Sequence, residues 1–95
     1  MSKTRQVFAV NWFDAAGATE WVDESEAADM NPPLCTTVGF ILSKTKRKLV
    51  IVSTVGHGED GQVGGREVIP AGMVQSIKSL GVIVIEEAKA KKTRP

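Results

Sequence analysis

The single histidine, His57, lies in "GHGEDG" (residues 56–61), with Glu59 and Asp60 close behind it. A histidine beside carboxylates is the smallest set that can act as a general base or begin a metal site. Here the set stops growing. There is no second histidine, and the one cysteine, Cys35, is far away in the chain, so no zinc-type ligand spacing forms. No Lys-Ser/Thr pair follows the glycines, which excludes a phosphate-cradling loop of the P-loop kind. No Ser-His-Asp or Cys-His arrangement stands at a motif-like spacing. The sequence therefore predicts no catalytic residue, no metal and no cofactor, and the chain reads as a non-enzyme. The wider stretch from Ser53 to Met73 holds six of the nine glycines. Glu-Asp-Gly and Gly-Gly are turn chemistry, and the stretch reads as a long connection between strands. Its glycines would let it adapt to a partner.

Binding chemistry is better supplied. Six acids and no base fall between Asp14 and Met30 (Asp14, Glu20, Asp23, Glu24, Glu26, Asp29). This segment reads as a solvated acidic face, or as a surface for a partner. The expected partner or ligand contacts are Asp14, Glu20, Trp21, Glu24, His57, Glu59 and Asp60. The densest basic cluster is "KTKRK" (Lys44–Lys48), and the last seven residues carry four more bases. Lys44, Lys46, Arg47, Lys91 and Lys92 are the candidates for phosphate contacts if the partner is nucleic acid. Aromatic interleaving is missing: there are two Trp, three Phe and no Tyr, so a base-stacking surface is poorly supplied. With a net charge of +1, the chain is bipolar and shows no overall bias to either sign.

The elements that must hold these residues are short and β-rich. "RQVFAVNWFD" (Arg5–Asp14) places Phe8, Val10 and Trp12 at period two, a strand with those three inward. Trp21–Met30 reads as a short helix, with Asp23 and Glu26 in a capping-box-like start. Trp21 is expected to cover one end of the fold. "NPP" stops the helix. Leu34–Ser43 and Lys48–Val55 form a hairpin across a polar turn. Arg66–Pro70, Val74–Leu80 and Gly81–Ala88 are the remaining strands, with "AGM" as a tight turn and a basic tail from Lys89. Together they predict a mainly β chain: a small SH3-like barrel of five to six strands with one short inserted helix, over residues 1–88, and a basic tail over 89–95. An OB-type barrel is the nearest rival.

At 95 residues and 42% apolar content, the chain is one domain with a modest core. A lone cysteine in an apolar run is expected to be a small buried hydrophobe in a reducing compartment. "MSKTRQVFAV" lacks a signal-peptide core, and no apolar run reaches the length of a membrane span. A barrel this small gains stability by pairing. The run Val82, Ile83, Val84, Ile85 is the expected contact of a homo-oligomer.

Four segments taken together, "VNWFDAAGATEWV", "TTVGFIL", "LVIVSTV" and "VIPAGMVQSIKSL", resemble a group of small, mostly uncharacterised bacteriophage proteins. The likeness covers most of residues 7–80 and leaves the basic C-terminal extension outside. It carries no catalytic motif. It implies a phage accessory protein in the host cell cytoplasm, one that engages a host protein or a small signalling molecule and blunts an antiviral defence. Nucleic-acid binding and a minor structural role in the virion are the alternatives.

Overall fold

β-Branched and aromatic residues fill "VFAVNWF" and "LVIVSTV", and both become strands, as side chains that fit a pleated half-buried surface should. The computed structural model describes residues 2–15, 20–57 and 61–86. It contains five strands: β1 (Ser2–Phe13), β2 (Leu34–Lys44), β3 (Lys48–Val55), β4 (Val63–Pro70) and β5 (Val74–Glu86). A five-residue helix, α1 (Glu24–Ala28), precedes β2, and a 3-10 turn, η1 (Ala71–Met73), precedes β5. The strands form one sheet in the order β4-β3-β2-β1-β5. Every pairing is antiparallel. The protein is thus mainly β. The two edge strands, β4 and β5, are not paired with each other, so the sheet does not close.

The sheet nonetheless curls around one core. Val10 and Trp12 from β1, Leu49 and Ile51 from β3, and Ile69 from β4 are buried together. Cys35, Ile41, Met73, Val74 and Ile77 pack against them from β2, η1 and β5. Residues of both edge strands therefore reach the same cluster. Phe8, expected inward with Val10 and Trp12, is only half-buried. Gly39 permits a close approach between β2 and β3. It is buried, and a Cβ there would collide with the Val52 carbonyl of β3, so only glycine permits this approach.

Three bulges adjust the ladders. In β5, Val74 faces Trp12, Ser76 faces Asn11 and Ile77 faces Val10, which leaves Gln75 as the extra residue. That insertion lets Val74 and Ile77, three residues apart, both point to the core. A second bulge leaves Leu80 between Ser79, opposite Phe8, and Gly81, opposite Val7. Gly81 takes φ +119°, which an L side chain resists. The third leaves Leu42 between the pairs Ile41–Ile51 and Ser43–Val50.

Several expectations need correction. The two C-terminal strands expected on either side of Gly81 are one strand, because the glycine makes a bulge where a break was expected. β4 begins at Val63, three residues before the expected Arg66. Most of Ser53–Met73 is consequently strand, and the connection between β3 and β4 is only residues 56–62. It is pinned by the Gly56 amide donating to the Gln62 carbonyl at 2.7 Å. The helix is shorter than expected and buries nothing. Asp23 is its N-cap residue but makes no side-chain cap bond, so the capping box does not form. The expected tail from Lys89 lies outside the described residues. No helix among the described residues is long and apolar enough to cross a membrane.

Candidate functional site

Two surfaces carry binding chemistry. The first is the excursion between β1 and β2. Its base is fixed where the Asp14 amide donates to the Pro33 carbonyl at 3.0 Å. Between those anchors nothing described is buried. Trp21 is 99% exposed, and Val22, Met30 and Leu34 are exposed as well. This overturns the expected role of Trp21 as a cover for one end of the core. The helix is too short to fold the segment back onto the sheet, and it offers no apolar stripe with which to do so. Glu20, Asp23, Glu24 and Glu26 surround the indole in sequence, all exposed, with Glu24 and Glu26 in the first turn of α1. Asp14 is exposed at the start of the same excursion.

The second surface is the β2–β3 turn and the cleft beside it. Thr45 builds the turn. Its hydroxyl accepts from the Arg47 amide at 3.1 Å and the Lys48 amide at 3.2 Å. The Ala71 amide donates to the Arg47 carbonyl at 2.8 Å, which ties η1 to the turn. A cleft of about 300 Å³ opens between the turn, η1 and the start of β5. Lys44 and Lys48 flank it, Gln75 adds an amide, and Leu49, Val74 and Ile77 supply apolar walls. No acid lines it. Lys46 and Arg47 lie exposed on the same turn. The sequence pointed to the lysines but gave no sign of the cleft, because its two walls come from residues 44–49 and 71–77.

His57 is exposed just beyond the end of β3. Glu59, Asp60, Lys91 and Lys92 lie outside the described residues. Among the described residues, no group of three or more His, Cys, Asp or Glu is placed to hold a metal ion. Cys35 is half-buried and unpaired by any disulfide. Val82, Ile83 and Val84 are exposed on β5, and Ile85 is half-buried. No family model, curated protein or solved structure matches the chain.

Proposed function

We propose that this chain is a non-enzymatic binding protein, a phage-type accessory domain that engages a host protein in the host cytoplasm through the acidic excursion around Trp21. The observation that carries this reading is the exposure of Trp21. A fully solvated indole on a segment that also exposes Val22 and Met30 is an unusual surface for a chain with no partner. Tryptophan is also the residue type that most often anchors an interface. The flanking carboxylates define the partner: an apolar pocket with a basic rim. Such a contact is compatible with a role in blunting an antiviral defence. For the architecture, we read the open sheet as an SH3-like barrel. Its strand order, with β5 returning beside β1, and the 3-10 turn directly before β5 support that reading.

The test is affinity capture from host lysate with the wild-type chain and with Trp21→Ala combined with Glu24→Lys and Glu26→Lys. A protein held by the wild type and lost by the variant supports the reading. Identical capture by both chains sinks it.

The lysine-flanked cleft favours a second reading, an anionic ligand, either a small signalling molecule or a nucleic-acid strand. Binding of a short oligonucleotide that falls steeply with salt, and survives Ala71→Trp, would mark simple phosphate contacts. Loss on Ala71→Trp would place the ligand in the cleft.

A further inference from the structure

The partner that suits the acidic excursion is an apolar pocket with a basic rim, and the chain itself holds a pocket of that description. The cleft beside the β2–β3 turn has Lys44 and Lys48 at its rim and no acid in its lining. Lys46 and Arg47 stand exposed on the same turn. Leu49 belongs to the buried core, and Val74 and Ile77 pack against it, so the apolar walls of the cleft are continuous with the core. Its volume, about 300 Å³, is at the lower limit for a cofactor or drug-sized ligand. A single large side chain suits it better.

The excursion supplies that side chain. Trp21 is fully solvated, and Glu20, Asp23, Glu24 and Glu26 lie exposed around it in sequence, four carboxylates against the four bases of the turn. Complementary charge of this kind steers approach and fixes register. The signs also select which surfaces meet. Two excursions repel one another, as do two turns, whereas an excursion and a turn attract. Within one chain the two surfaces stay apart: Trp21 does not line the cleft and keeps its full exposure.

We propose that the Trp21 excursion of one copy docks into the cleft flanked by Lys44 and Lys48 on a second copy, with the indole against Leu49, Val74 and Ile77. The contact is head-to-tail. It joins two different surfaces, so it can continue from copy to copy. It shares the exposed Trp21 with the function proposed above and requires no host protein.

The test is sedimentation equilibrium of the full chain over a wide range of concentrations. The mean mass should rise above the 10.2 kDa of one chain as concentration increases. Trp21→Ala should weaken self-association by about thirtyfold or more, as loss of an interface anchor does. Lys44→Glu with Lys48→Glu should weaken it comparably, since the reversed rim repels the carboxylates. All three side chains are exposed, so circular dichroism should remain that of the folded sheet. The deciding step is to mix the two variants. The Trp21→Ala chain keeps the cleft, and the Lys44→Glu/Lys48→Glu chain keeps the indole. Each alone should be monomeric, and an equimolar mixture should form a one-to-one pair. A wild-type chain that stays monomeric at every concentration overturns the proposal. So does self-association that withstands either variant, or a mixture that stays monomeric. The Lys44→Glu/Lys48→Glu chain retains Trp21 and should still hold any host protein that the wild type holds. A failure of capture thus counts against the host partner, and a failure of association against the second copy.

Discussion

The Trp12 indole N–H donates to the Thr37 hydroxyl at 3.0 Å, a diagonal contact between β1 and β2 in which Trp12 lies opposite Cys35 and Thr37 opposite Val10. Trp12 is only 8% exposed, so its single polar atom needs this acceptor. Thr37→Val keeps the shape and removes the acceptor. It should destabilise the fold by about 1–2 kcal/mol, the cost of an unsatisfied buried donor. Urea unfolding followed by Trp12 emission measures it, and Thr37→Ser should recover most of the loss.

Gly39, Gly81 and Gly72 should respond to alanine in that order of severity. At Gly39 the obstacle is the Val52 carbonyl, part of β3's backbone, which has little freedom to move aside. Gly39→Ala should cost about 3 kcal/mol, the upper end for overpacking. At Gly81 there is open space but φ is +119°, so only the backbone conformation is penalised, by about 1–2 kcal/mol. Gly72 has open space and no positive φ, and its replacement should be near neutral. Thermal melts of the three variants give the ranking. An equal loss at all three would contradict the close approach at Gly39.

The two tryptophans should separate spectroscopically. Trp12→Phe leaves Trp21, whose emission should be that of an indole in water and strongly quenched by acrylamide. Trp21→Phe leaves Trp12, with blue-shifted and protected emission. A shielded Trp21 in the free chain would mean that the excursion folds back or is already covered.

Reversing Glu20, Glu24 and Glu26 to lysine should leave global stability within about 0.5 kcal/mol per site, the usual range for surface changes. The helix itself loses favourable charge at its positive end. Since α1 buries no residue, that local loss is not transmitted to the core. The expected result is fraying of α1 by circular dichroism with an unchanged unfolding midpoint, alongside lost partner capture.

Much of the sheet was legible because a strand's faces alternate. Val10 and Trp12 fell on one face by period alone, and the β2–β3 hairpin followed from two apolar runs around a polar turn. The same rule failed wherever a bulge shifts it. Val74 and Ile77 share a face only because Gln75 is inserted, and Gly81 looked like a break because glycine serves both breaks and bulges. The fate of Trp21 was illegible for another reason. Its position before a helix fits a covering residue, but covering needs a helix long enough to dock and an apolar stripe to dock with, and α1 has neither. The cleft beside Lys44 and Lys48 joins turn to η1 across more than twenty residues of sequence, and no local pattern encodes that.

β1 lies between β2 and β5, so the first described strand is zipped to the last along nearly its whole length, from Ser2–Glu86 to Trp12–Val74. These are the most distant contacts the described chain contains, and closing so long a loop slows folding. On the ribosome, the β2–β3–β4 meander can form early, but one flank of β1 stays open until β5 has emerged. During that interval a strand carrying Val10 and Trp12 is available to any other strand in the cell. Synthesis, more than the finished fold, is when this protein is most exposed to mispairing.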